Sequence, residues 1–336
     1  GSVAHGIPSS GKIKGETMGN KGQRIIVTGC SGLIGSALCE RLLHEGADLV
    51  GYDLEPEGML KSRGISGEFP VMHGDIRNVE SAQIALKNAD VCYHLAAISG
   101  VEAARNQPLA AFNINVQGTW CVLEACRLEG VSKVITASSN HIYGYQSEKP
   151  VREYQRMNQL DTYSATKICA DYTAQAYAHN YGLPVAIVRN TNCYGPHDPH
   201  TDHIIPGTIK AIMKGEEPVI RGNGQTKKAY LYIDDVIDAY LAVATVLPYK
   251  RGEAFNVSTN HTSVSNLVEI IINTMKGLKG LPSQVVKPKV LSGVNDQNDE
   301  DMDSTKIRVA TNWKPKHTLE SGISKTVEWM MEKVAV

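Results

Sequence analysis

Apolar positions follow two alternating rhythms from Arg24 to Arg189. Short β-branched runs predict strands at 24–28, 48–53, 70–73, 91–95, 132–138 and 184–189. Between them, apolar residues at helical spacing predict helices at 33–45, 78–87, 108–129 and 162–181. The strand runs are near-continuously apolar, as strands covered on both faces require. Strand–helix alternation of this kind predicts a doubly wound parallel α/β sheet. After Arg189 the elements shorten. Asn190–Pro206 reads as a loop. A helix (207–214), strands (217–221 and 229–233), a helix (234–247), a strand (253–258) and helices (264–276 and 319–333) follow. This predicts a cofactor-type domain over 23–189 and a smaller mixed α/β substrate lobe over 190–336, with segments of the two interleaving after 190. Residues 1–22, rich in Gly, Ser and Lys, lack the apolar core of a signal peptide. Gly1–Thr17 reads as an appended leader ahead of a start at Met18. Residues 291–303 are acidic and polar, and predict a mobile loop.

Composition narrows the function classes. The 336 residues are 42% hydrophobic and 21% charged, which suits a packed core. A net charge of −1 provides no general field for nucleic acid or anionic membranes. No apolar run approaches the about 20 residues of a membrane span. Seven scattered cysteines without metal-like spacing read as reduced thiols, which suggests a cytoplasmic protein.

The first strand leads straight into chemistry. Ile25-Ile26-Val27-Thr28 runs into Gly29, Gly32 and Gly35 at three-residue spacing, then into an apolar helix pattern through Leu33 and Ile34. Strand, glycine turn and helix together aim helix N-terminal amides, with those around Ser31, at a pyrophosphate. Asp53 closes the next apolar run, 24 residues after Gly29. A carboxylate there accepts hydrogen bonds from an adenosine ribose and repels a 2′-phosphate, so the expected cofactor is NAD rather than NADP.

Tyr163 and Lys167 stand four residues apart at the start of a predicted helix and share one face. An ammonium beside a phenol favours the phenolate. Moving a phenol pKa from ~10 to ~7 needs about 4 kcal/mol of differential stabilisation. A tyrosine so tuned takes a proton from a sugar hydroxyl while hydride leaves the same carbon. Ser139, at the end of strand 132–138, is placed to bond the same oxygen.

These motifs resemble those of the extended short-chain dehydrogenases/reductases of the NAD-dependent nucleotide-sugar epimerase/dehydratase family. The matching pieces run in order from residue 24 to about 313. They are Gly29-x-x-Gly32-x-x-Gly35, Gly74-Asp75-Ile76-Arg77, His94-Leu95-Ala96-Ala97, Asn115-Val116-Gln117-Gly118-Thr119, Ser138-Ser139, Tyr163-x-x-x-Lys167, Arg189 through Pro196, and Gly222-Asn223-Gly224 through Asp234-Asp235. The resemblance implies a Rossmann-type fold. It implies that Leu54, Asp75 and Ile76 flank the adenosine, that Leu95, Ala96 and Ala97 line the cofactor path, that Asn115 supports the active-site backbone, and that Asn115 and Asn190 belong to the cofactor site with Tyr163 and Lys167. It implies that Asn192 bonds a substrate phosphate and that Lys228 stands where the family has a diphosphate-clamping Arg. Helices 108–129 and 162–181 resemble those of a homodimer interface.

Three departures from the family stand out. Asn140 and His141 occupy positions where family dehydratases carry an acidic pair; His141 remains a candidate base. Ser-Ser-Asn-His also resembles the segment of uronate dehydrogenases. Lys228 lacks the bidentate fork of an arginine. A later family Arg, normally near 292–300, is replaced by acidic residues. Either that loop points away from the site or the substrate is not an ordinary nucleotide sugar. Arg221 is expected at the base pocket and His203 near the sugar. His197, Asp198, His200, Asp202 and His203 crowd one loop but read as anion-facing residues, with no metal expected. The leading expectation is a nucleotide-sugar 4-epimerase acting through a transient 4-keto sugar. The alternatives are a 4,6-dehydratase or a sugar or uronate dehydrogenase, and, from a different class, a non-catalytic NAD-binding protein.

Overall fold

The computed structural model describes residues 20–247, 249–276, 278, 288–291 and 299–334. The leader expected at the N-terminus and most of 291–303 thus lie outside the described residues. The strands are β1 (Arg24–Thr28), β2 (Asp48–Asp53), β3 (Val71–His73), β4 (Val91–His94), β5 (Lys133–Ala137), β6 (Val185–Asn190), β7 (Asn192–Tyr194), β8 (Val219–Arg221), β9 (Lys227–Tyr232), β10 (Ala254–Val257), β11 (His261–Ser263) and β12 (Lys289–Leu291). The helices are α1 (Leu33–His44), α2 (Gly58–Arg63), α3 (Val79–Leu86), α4 (Val101–Asn106), α5 (Pro108–Phe112), α6 (Thr119–Glu129), α7 (Thr162–Tyr181), α8 (Ile204–Met213), α9 (Ile233–Val246), α10 (Val264–Met275), α11 (Thr305–Thr311) and α12 (Leu319–Val334).

Seven parallel strands form one sheet in the order β10-β6-β5-β4-β1-β2-β3. Side chains alternate across β1. Ile25 and Val27 pack with α1 and α9, and Ile26 packs on the other face with α3, α6 and α7. All three are fully buried, which is why the run is continuously apolar. Strand order reverses between β1 and β4, and at this switch point the C-terminal ends of two strands open a crevice. The expected Rossmann-type sheet is therefore present. The strand read at 253–258, β10, closes its far edge beside β6.

Two small sheets, β11-β9-β7 and β12-β8, stand beyond the strand ends. The reading of Asn190–Pro206 as loop needs correction. It holds β7, which pairs with β9, and the first turn of α8 begins at Ile204. Three residues are too few to show a period. Pro206 sits in the first turn of α8, where the missing N–H costs nothing. The single helix read over 108–129 is also corrected. It is α5, a π-helical turn (Asn113–Gly118) and α6. At the end of that turn Gly118 lies against Ile76, and Oγ1 of Thr119, the first residue of α6, donates to the Asn115 carbonyl at 2.6 Å.

The seating of α1 on β1 has no slack. A Cβ on Gly35 would lie 2.0 Å from the Gly29 carbonyl oxygen, against backbone that has nowhere to go. Gly35→Ala is expected to cost about 3 kcal/mol through overpacking, read as a lower urea midpoint with unchanged slope.

Candidate active site

A cleft of about 320 Å³ opens at the switch point. Gly29, Ser31, Gly32, Asp53, Leu54, Ile76, Leu95, Ala96 and Ala97 line it. All nine were expected from the sequence. Gly29 holds φ +69°, and a Cβ there would meet the Ala96 amide nitrogen at 2.6 Å, so the turn is pressed against the end of β4. No side chain caps the N-terminus of α1 at Gly32. Its amides remain for an anion. Asp53 ends β2 with both oxygens fixed: Oδ2 accepts from Ser31 N at 2.9 Å and Oδ1 from Glu55 N at 3.1 Å. Glu55 joins the lining as a second carboxylate that sequence spacing did not single out. Two carboxylates at the ribose end oppose a 2′-phosphate. The glycine cradle, uncapped helix and carboxylate end together fit NAD.

Other expected cofactor residues act from behind the lining. Leu33 and Ile34 pack into the core beneath the turn. Asn115 braces the wall: it accepts from Ile98 N at 2.7 Å and donates to Ile98 O at 3.0 Å and Thr166 Oγ1 at 2.9 Å. The carboxylate of Asp75 is held by Arg77, which keeps its pKa below the usual range. Its backbone carbonyl accepts from the Tyr52 hydroxyl. Asn190 accepts from the Tyr240 hydroxyl at 3.1 Å, and does not line the cleft.

Tyr163 opens α7, whose N-terminus is capped by the Asp161 carboxylate. Burial raises the phenol pKa; hydrogen bonds with Ser139 and Ser99 pull it back. Ser99, on the loop after β4, was not foreseen, since a lone serine after Ala-Ala-Ile has no signature. Lys167 is buried on the same helix and donates to the Ala137 carbonyl at 2.7 Å. Burial pushes its pKa down to about 8. Beneath it, His94 bridges the hydroxyls of Thr28 (2.8 Å) and Thr119 (3.1 Å). Burial, with the Lys167 charge nearby, lowers that imidazole to about 3, so it stays neutral. Ser139 begins a 3₁₀ turn (Asn140–Tyr143) and its hydroxyl accepts from His141 N at 3.2 Å. The His141 ring meets Tyr163 edge-on, with centroids 6.1 Å apart.

The substrate side differs from expectation. The C-terminal end of the acidic stretch points in, so of the two alternatives for that stretch the one with the loop turned away falls. Glu300 Oε2 accepts from Asn140 Nδ2 and Asn192 Nδ2, each at 2.8 Å, and Lys228 lies 3.7 Å from Oε1. Asn192 also donates to Ala229 O at 3.1 Å, so both its amide protons are engaged within the chain and neither is left for a phosphate. Arg221 is exposed on β8 and is not gathered with this group. His203 stands at the N-cap position of α8 without capping it, and its side chain pairs with the buried Asp198 at 2.9 Å, which raises its pKa. His197 turns to Ser62 on α2 and to Trp329. His197 thus leaves the loop's other histidines, while the His200 and His203 rings stay 5.0 Å apart. Among the described residues no three His, Cys, Asp or Glu side chains gather to hold a metal.

A switch-point dinucleotide crevice beside a buried Ser–Tyr–Lys group defines an NAD-dependent oxidoreductase-type site. The family model described as the NAD dependent epimerase/dehydratase family matches residues 25–258, and the chain belongs to that family. It is 31% identical over 317 residues to the UDP-glucose 4-epimerase of Mycolicibacterium smegmatis, covering 92% of this chain and 99% of that protein. It superposes on the UDP-glucose 4-epimerase of Thermotoga maritima, solved with UDP-glucose, with a TM-score of 0.83 at 26% identity, covering 93% of this chain and 100% of that one. It superposes equally well on a Streptomyces venezuelae dTDP-glucose 4,6-dehydratase variant solved with NAD bound. There the TM-score is 0.84 at 25% identity, over 93% of this chain and 98% of that one. NAD is the cofactor of the family.

The Asp53 reading has a direct test. Asp53→Asn removes the charge that faces the ribose, and is expected to narrow the preference for NAD over NADP by at least tenfold, measured by fluorescence titration of both dinucleotides.

Proposed function

We propose that this chain is an NAD-dependent nucleotide-sugar epimerase that works by transient oxidation at one carbinol carbon. The observation that carries the reading is the burial of Tyr163 at the start of α7, with Lys167 buried one helical turn further along the same face and Ser139 buried at the turn after β5. Bound NAD supplies the hydride acceptor. Tyr163 takes the proton of the sugar hydroxyl, and the Lys167 ammonium favours the resulting phenolate. Ser139 donates to the same oxygen while the carbon becomes a ketone. Hydride and proton return on the other face after the sugar turns over, so nothing is consumed. Asn140 cannot protonate a leaving hydroxyl, and this disfavours the 4,6-elimination of water.

A second reading has its own support. His141 stands edge-on to Tyr163, placed as a base for 4,6-dehydration. Oxidation of a uronate is less favoured, because Glu300 would face the substrate's carboxylate.

We also propose a homodimer through helices 108–129 and 162–181. Leu109, Phe112, Trp120 and Leu128 on the first stretch, and Tyr172 and Tyr181 on the second, are large apolar or aromatic side chains left exposed. Aromatic groups of this kind are enriched where subunits meet.

The test is incubation with NAD and UDP-, GDP-, CDP- and dTDP-hexoses, read by NMR and mass spectrometry. Expected is interconversion of 4-epimers without net build-up of reduced nicotinamide absorbance. Tyr163→Phe should lower kcat by about 100-fold or more with the fold intact. A product lighter by one water would select dehydration, and steady reduced nicotinamide would select oxidation. No change to any hexose would overturn the reading.

A further inference from the structure

The acidic segment contributes one side chain that the mechanism above leaves without a task. Glu300 is anchored on both sides. Its backbone N–H donates to Lys227 O at 2.8 Å, and Lys227 N donates to Asp299 Oδ1 at 2.8 Å. Lys149 Nζ donates to Asp299 O at 2.7 Å, and Val151 exchanges backbone bonds with Asp301 (2.7 Å) and Asp303 (2.9 Å). The segment is thus tied to β9 on one side and to the 149–152 stretch on the other. Its carboxylate bridges the residue after Ser139 and the residue that opens β7, and only 16% of the side chain is exposed. The two amides occupy Oε2. Oε1 has Lys228 at 3.7 Å, beyond hydrogen-bonding distance. A carboxylate oxygen there retains lone pairs to accept with.

We propose that Glu300 is a specificity-determining residue, which turns this side of the substrate pocket from one that receives anions into one that receives hydrogen-bond donors. This rests on the nucleotide-sugar reading of the site and deepens it. The preferred sugar presents hydroxyl or ammonium groups towards Glu300. A sugar presenting a carboxylate there meets like charge and finds the amide protons of Asn192 already engaged. Lys228 tempers the charge as a point cation 3.7 Å away and does not reverse the acceptor character of Oε1.

The test is calorimetric binding of UDP-glucose and UDP-glucuronate to the NAD-loaded protein, wild type against Glu300→Gln and Glu300→Ala. Circular dichroism and NAD affinity control for folding. Wild type is expected to prefer the neutral sugar. Both variants are expected to move the ratio of the two Kd values at least fivefold towards the uronate. A smaller movement in both overturns the role of Glu300, whatever the turnover assays give. Binding of neither nucleotide sugar by wild type overturns the nucleotide-sugar reading instead. The same ratio measured with glucose and glucuronate then decides Glu300, and failure to bind those as well overturns both.

Discussion

The contact between the Gly29 carbonyl and the Cα of Gly35 is the constraint on which the rest of the structure depends. The sheet needs α1 close enough to bury Leu38 and Leu42 against Ile25 and Val27. The same helix must also leave its N-terminal amides over the end of β1. Both conditions hold only if the chain reverses within a few residues, which requires a positive φ at Gly29 and no side chain at Gly35. With α1 fixed, β2 follows and brings Asp53 to within 2.9 Å of the Ser31 amide. The ribose end and the phosphate end of the cleft are therefore set by one turn.

The chemistry of the other end comes from packing that opposes stability. Lys167 is fully buried, and its pKa falls from 10.5 to about 8. Between those values the folded chain binds fewer protons at this group than the unfolded chain. Its contribution to stability therefore rises with pH across that window. At neutral pH, holding it protonated costs about 3 kcal/mol. The same helix carries a second buried charge one turn later, and this one is paired. Asp171 makes a buried ion pair with Arg189 at 2.9 Å, and Arg189 also donates to the Tyr143 hydroxyl at 2.8 Å. Tyr143 ends the turn that Ser139 begins. One ion pair therefore ties α7, β6 and the Ser139 turn together, and removing either partner would leave an uncompensated buried charge. Tyr163 and Ser139 are held in register by this network rather than by direct bonds alone.

Legibility in the sequence followed periodicity. The six strands from β1 to β6, with α1, α3 and α7, repeat one pattern long enough to be read, and the cleft residues lie at their ends, where ligands of such sheets bind. Short elements without a marked apolar run left no usable signal. β7, β11, β12, α2, α4 and α11 went unread for that reason. The π-helical turn was hidden because its apolar positions continue the helical pattern on either side. Glu300 was not singled out, for a different reason. A run of acids has no period, and composition alone suggests solvation. What decides its placement is backbone pairing of 299–303 with Lys227 and Val151, which is long-range and leaves no local mark.

That difference separates what the family shares from what distinguishes this chain. The cofactor end is built from local sequence: a glycine turn, a strand end and a helix four residues on. Local patterns persist when relatives diverge to below one-third identity, so fold and cofactor remain readable at 31% and less. The substrate end is assembled from β7, β9 and residue 300, segments up to 108 residues apart that meet only through long-range pairing. A single exchange there, such as Lys228 opposite Glu300, alters the charge a sugar encounters without disturbing a strand. On the proposed function, specificity can therefore drift while the proton and hydride chemistry at Tyr163 stays fixed. This is the physical reason that epimerases and dehydratases superpose on this chain almost equally well.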